Sequence, residues 1–244
     1  MPSIMDVEPW GGVGPRVILV HGVQAAESTW FAQRPLADRM RLEVVVRPDH
    51  RAGALFRGGD YLRDADELAG LLAGEPAHLV GSGYGALACV VAAGQRPHRV
   101  ESLTLIEPTC IGMLAHPAIL DMCQRWWRER PQDLAEFAAR FGRLAGLPTG
   151  VEFTAEHWDA VKRLRECRPP WDARLPLEAI AQWGIPTQVY SGGHSPVLTA
   201  VAATVATGAG GEHVELVGRE HAVQTLGAPF NDRLQQHIDH AHQA

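Results

Sequence analysis

Lysine is almost missing from this chain: of 22 basic residues only Lys162 is a lysine, and no tract gathers the arginines together. A formal net charge of -6 without a basic cluster excludes a nucleic-acid partner, because phosphate backbones are held by grouped Lys and Arg. Cysteine is scarce too. Cys89, Cys110, Cys123 and Cys167 stand in no CxxC or other metal-ligand spacing, so they read as buried reduced thiols, not as a disulfide framework or a zinc motif. Long apolar runs are also lacking. The start MPSIMDVEPWGG has no basic stretch followed by an apolar core, and no later segment is apolar for long enough to span a bilayer. The expectation is a cytoplasmic protein with no membrane partner.

What the chain does have is 46% apolar residues over 244 positions, enough for one core and one domain, 1–244. Short β-branched runs alternate with amphipathic stretches. Strands are expected at Arg16 to Val20, Leu42 to Val46, His78 to Val80, Val100 to Ile106, Thr187 to Tyr190 and His213 to Val217. Ser28 and Thr29 offer N-caps for a helix through Met40, and another helix is expected from Tyr61 to Ala73. This alternation predicts an α/β fold: a mostly parallel central sheet flanked by helices, with function at the carboxyl ends of the strands. Between 109 and 186 the alternation stops. That stretch carries Trp126, Trp127, Trp158 and Trp171 with Phe137, Phe141 and Phe153, and it reads as a helical cap leaving through Arg168-Pro169-Pro170-Trp171. Most of these aromatics are expected to be cap core, with Trp126 assigned to the wall of an apolar pocket.

The stretch from Ala77 to Ala92, AHLVGSGYGALACVVA, reads as strand, glycine-rich turn and helix. Gly81 and Gly85 are the small residues that let strand and helix approach, which puts Gly83 at the centre of the turn. Ser82 falls one position early; centring on it would place Val80 and Tyr84 where small residues are needed, so it reads as turn structure. The order VILVHG, GSGYGA, LTLIEP and a late GREH before a C-terminal helix resembles the α/β-hydrolase family over nearly the whole chain. In that family the turn is G-x-S-x-G, and the central Ser is the nucleophile. Here the nucleophile position holds Gly83.

The resemblance implies the remaining site. Its oxyanion hole corresponds to the backbone N–H groups of Val23 and Tyr84, its catalytic histidine to His221, and His21 braces the oxyanion loop, with Gln24 and Ser82 placed close by. Relatives usually carry an Asp near Ser195, but the turn Ser191 to Pro196 has no carboxylate. Some take the acid from the end of the preceding strand, which here is Glu107. A Glu107–His221 pair is therefore expected at roughly 2.6 to 3.2 Å, the alternative being a strand-end carboxylate tied to backbone amides. His237, His240 and His242 on the C-terminal helix read as solvated. No cofactor and no metal are implied.

Three functions fit these residues. One is an enzyme without a covalent intermediate, a lyase, cyclase or water-mediated hydrolase acting on a small, largely hydrophobic carbonyl compound. The Arg-, Ala- and Gly-rich composition suits a high-GC bacterial genome and natural-product metabolism. The others are a ligand-binding pseudoenzyme and a serine esterase altered at position 83, for which GSSYGA would be an ordinary elbow. No sequence feature addresses the oligomeric state.

Overall fold

The computed structural model describes residues 5–51, 58–145 and 152–242. Its centre is a sheet of seven strands: β1 (Asp6–Trp10), β2 (Arg16–Val20), β3 (Arg41–Val46), β4 (Ala77–Ser82), β5 (Val100–Ile106), β6 (Thr187–Ser191) and β7 (Glu212–Glu215). Their spatial order is β1-β3-β2-β4-β5-β6-β7. Strand β1 is antiparallel to β3, and every other pairing is parallel. All six residues of β4 are buried, as a strand covered by helices on both faces requires.

Nine helices accompany the sheet among the described residues: α1 (Ala26–Trp30), α2 (Tyr61–Leu72), α3 (Tyr84–Gln95), α4 (Pro117–Arg128), α5 (Leu134–Ala145), α6 (Ala155–Glu166), α7 (Leu177–Gln182), α8 (Pro196–Gly208) and α9 (Ala228–Ala241). Successive residues of a strand face opposite sides, and β2 feeds two cores accordingly. Ile18 and Val20 pack with Leu68 of α2, Leu87 of α3 and Val201 of α8. Val17 and Leu19 pack with Trp30 of α1 and Phe230 and Leu234 of α9. None of these helices is long and apolar enough to cross a membrane.

Three local expectations are revised. The helix from Ser28 to Met40 is instead α1 followed by a 3-10 turn at Phe31–Asp38, because Pro35 removes an N–H and crowds the carbonyl four residues earlier. Ser28 and Thr29 do not cap it; both hydroxyls donate to the Ala25 carbonyl, at 3.1 and 2.8 Å. Ser82 is the last residue of β4, paired with Ile106, and not part of the turn. The edge strand β1 had no sequence signal, since Pro9 and two acidic residues disguise it; an edge is where a strand tolerates proline.

Between β5 and β6 the expected helical segment contains α4, α5 and α6; its 146–151 part lies outside the described residues. Trp126 lies 5.4 Å from Phe137, 6.0 Å from Phe141 and 6.1 Å from Trp171 between ring centroids, and Trp127 lies 4.9 Å from Trp171. These aromatics hold the insertion together. Helix α7, near the end of the same segment, returns to pack on α3 and α8. All four cysteines are free and buried.

The junction of β4 and α3 depends on glycine. A Cβ on Gly81 would stand 2.6 Å from Ala86 Cα and 2.8 Å from Cys89 Sγ, and one on Gly85 would enter the carbonyls of Val20 and His21. Gly85→Ala is therefore expected to destabilise the fold by about 3 kcal/mol through overpacking against backbone, read as a lower midpoint in urea unfolding. An unchanged midpoint would show that the helix can back away from β2.

Candidate catalytic site

The turn between β4 and α3 holds Gly83 at φ 54 and ψ -114, with its N–H donating to the Ile106 carbonyl at 2.8 Å. Positive φ of this kind favours glycine. A Cβ built there would lie 3.0 Å from His221 Nε2 and 3.7 Å from its Cε1. Apart from chain neighbours, no other atom of the described residues comes within 4 Å of that point. Position 83, and not 82, faces the histidine.

Glu107 follows β5 directly, also at positive φ, and is 1% exposed. Its Oε2 lies 3.3 Å from His221 Nδ1, just beyond the expected range, and its Oε1 accepts the Gly192 N–H at 2.6 Å. One carboxylate thus both meets the imidazole and ties down a backbone amide. A Cβ on Gly192 would run into the Glu220 carbonyl, so only glycine lets the β6 turn and the His221 loop approach this closely. The turn also brings His194, whose Nδ1 is 3.8 Å from Glu107 Oε1. Its side chain is 9% exposed and neither ring nitrogen has a hydrogen-bond partner among the described residues. His194 carries no signal along the chain, because only the fold brings it to Glu107.

Beside the elbow runs the loop after β2. His21 is fully buried; its Nε2 accepts the Arg47 N–H at 3.1 Å, which places the ring proton on Nδ1, donating to the Gln24 carbonyl at 2.8 Å. His50 meets the Val23 carbonyl through Nε2 at 3.1 Å and stands edge-on to His21 at 4.4 Å. Both carbonyls of the loop are thereby fixed. Burial, reinforced by the charges of His50 and Arg47, pushes the His21 imidazole well below its usual range, and burial lowers His50 as well. The N–H of Tyr84, first residue of α3, has no intrahelical acceptor, and a Cβ on Gly22 would be 3.6 Å from it.

Beneath this loop lies an ion network that the sequence did not announce. Arg47, 1% exposed, donates to Asp64 at 2.7 Å and to the Gly22 carbonyl at 2.5 Å, and reaches Asp49 at 3.3 Å. Its guanidinium lies 4.8 Å from the centre of the Tyr84 ring. Burial raises the Asp49 carboxyl, but the Arg47 guanidinium outweighs it and holds Asp49 far below the usual carboxylate range. The Tyr84 hydroxyl accepts the Tyr61 N–H at 3.3 Å and lies within reach of the Gly59 and Arg168 carbonyls, at 3.0 and 3.1 Å. The exit of the helical insertion is tied to the elbow through one side chain.

The structure therefore gathers Gly83, His221, Glu107, His21, Val23 and Tyr84 at the carboxyl ends of β2, β4 and β5. Gln24, an exposed residue, contributes its carbonyl to His21, and Trp126 lies in the aromatic cluster of the insertion.

A family profile described as "Alpha/beta hydrolase family" matches residues 17–232. No curated protein matches the chain in sequence. Among solved structures, a hydrolase from Oleispira antarctica is similar with TM-score 0.71 and 13% identity, over 97% of this chain and 95% of that one. A carboxylesterase of the Thaumarchaeon Nitrososphaera gargenis gives 0.71 and 15%, over 100% and 98%. A hydrolase from Pseudomonas aeruginosa gives 0.68 and 20%, over 96% and 94%. At such identities the likeness is one of fold.

Two outcomes are expected. A fluorophosphonate probe should leave the protein unlabelled, while Gly83→Ser should be labelled at residue 83 once His221, on its half-exposed loop, yields a few tenths of an ångström to the new Cβ. Labelling of the unaltered protein at Ser82, read by peptide mass spectrometry, would overturn the register. Second, because the folded state lowers the His21 and His50 pKa values, it binds fewer protons than the unfolded chain below the reference value of about 6.5. Their stabilising contribution is complete above that pH and is lost as pH falls below it. Urea midpoints should drop between about pH 6.5 and 5, with a shallower fall for His21→Asn; a flat profile would contradict the neutral His21.

Proposed function

The chain belongs to the alpha/beta hydrolase family, and from that premise we propose that it is an enzyme that works without a serine nucleophile, on a small, largely hydrophobic carbonyl compound. One observation carries this reading: His221 Nε2 stands 3.0 Å from where the Cβ of residue 83 would be, with the buried Glu107 carboxylate behind its other nitrogen. A histidine held by a buried carboxylate and aimed at that space is the arrangement of a general base.

In the proposed mechanism Glu107 holds the proton on His221 Nδ1, and the lone pair on Nε2 faces the space that a serine side chain occupies in relatives. A water or a substrate C–H or O–H enters that space and gives up its proton to Nε2, a step worth roughly 10²- to 10⁴-fold. The N–H groups of Val23 and Tyr84 receive the developing oxyanion, each at about 3 kcal/mol. Their donors are main-chain groups, so loss of the Ser hydroxyl leaves them in place. Water-mediated hydrolysis is the simplest outcome; the same proton transfer serves a lyase or a cyclase. The helical insertion, tied to the elbow through Tyr84, is read as the cap that excludes bulk water, and a role in bacterial natural-product metabolism rests on composition.

The test uses small aryl esters and lactones, with product release and intact-protein mass followed together. Turnover without an acyl-enzyme adduct is expected. His221→Ala should lower kcat/KM by about 10²-fold or more while ligand binding persists, and Glu107→Gln should act in the same direction. Binding by the unaltered protein with no conversion would replace the enzyme reading by that of a ligand-binding protein.

A further inference from the structure

At the opposite end of the sheet from the elbow, three side chains from three elements converge. His78 is the second residue of β4, Glu101 the second of β5, and His242 the C-cap of α9. His78 Nε2 lies 2.8 Å from Glu101 Oε2, His242 Nδ1 lies 3.8 Å from the same oxygen, and all three ligand atoms fall within 4.8 Å of one another. The helix that carries His242 was expected to show only a solvated histidine face. His237 on it is buried instead.

His78 is the telling member. It is 0% exposed, its Nδ1 meets the Ser102 hydroxyl at 2.8 Å, and its Nε2 makes no hydrogen bond although a carboxylate oxygen stands 2.8 Å away. That oxygen is off the direction an N–H would take. A buried polar atom left in this way loses about 1 to 3 kcal/mol. A third body lying between the nitrogen, the oxygen and the His242 ring removes the deficit.

A tetrahedral Zn²⁺ with bonds of about 2.0 to 2.1 Å sets its ligand atoms about 3.3 Å apart; the Glu101 oxygen lies 2.8 and 3.8 Å from the two imidazole nitrogens, and rotation of the exposed His242 side chain closes the remaining separation, which is within 4.8 Å. With its proton on Nδ1 donated to Ser102, His78 presents the Nε2 lone pair, the outer-shell arrangement that orients a ligating imidazole. Two imidazoles and one carboxylate suit Zn²⁺, whereas Ca²⁺ and Mg²⁺ call for an oxygen set. Glu101 and His242 are 34% and 69% exposed, which provides an entry path and room for a water as fourth ligand. We propose that His78, Glu101 and His242 form a zinc site that fastens the end of α9 to β4 and β5. No spacing in the sequence announces it because the ligands are joined only through the fold. The site lies five residues along β4 from Gly83, about 17 Å, and is separate from the elbow chemistry.

The experiment uses the full chain, stripped with EDTA and titrated with ZnCl₂ by calorimetry, with thermal unfolding followed at each stage. One Zn²⁺ per chain and a raised Tm are expected. His242→Ala, which alters an exposed side chain, and Glu101→Gln should each weaken binding about tenfold or more and abolish the rise in Tm, while His240→Ala on the same helix leaves both intact. Stoichiometric binding that survives His242→Ala and Glu101→Gln, or no binding at all by the stripped protein, overturns the site. Binding at these residues with an unchanged Tm overturns the fastening.

Discussion

A carboxylate taken out of water is costly unless donors meet it, and the donors that meet Glu107 come from loops far from it in sequence. Gly192, after β6, supplies an N–H to one oxygen; His221, after β7, approaches the other. Meeting both requires Glu107 itself to take a positive φ, Glu220 to do the same, and Gly192 to lie against the Glu220 carbonyl. Three strand ends are thereby locked to one buried charge. The position of the imidazole opposite Gly83 follows from that lock and not from any contact with the elbow.

A second charge does comparable work on the other side of Gly83. Arg47 is enclosed by Asp64, Asp49, the Gly22 carbonyl and the face of Tyr84. These partners belong to α2, the 3-10 turn after β3, the loop after β2 and α3, so one guanidinium sets the spacing between that loop and the elbow helix. Removing a single partner from such a group leaves the charge uncompensated, which is more damaging than never having had the pair.

The parts of the molecule legible in the sequence are those decided locally. Strand β2 fell on its apolar run Val17 to Val20, because burial on both faces demands unbroken hydrophobic residues. The register of the elbow followed from Gly81 and Gly85, whose lack of a side chain is required by close approach. Glu107 was readable from its place at a strand end. Pro35 changed a helix into a 3-10 turn because a fixed φ overrides the cap signals of Ser28 and Thr29, and β1 was hidden by being an edge. Arg47, His194 and the His78 cluster were invisible for a different reason: each is defined by residues brought together through the sheet, and no pattern along the chain encodes a distance across it.

The backbone angles at Gly83 have an energetic meaning that reaches past the reaction. In that conformation a side chain costs on the order of 1 to 3 kcal/mol, which serine-bearing relatives must carry as the penalty of a raised nucleophile. Glycine carries none of it. Against a total folding stability of about 5 to 15 kcal/mol, the difference is a sizeable margin. A glycine at position 83 therefore leaves this chain more tolerant of mutation elsewhere, and sequence change in the insertion and outer loops can accumulate with less risk of unfolding.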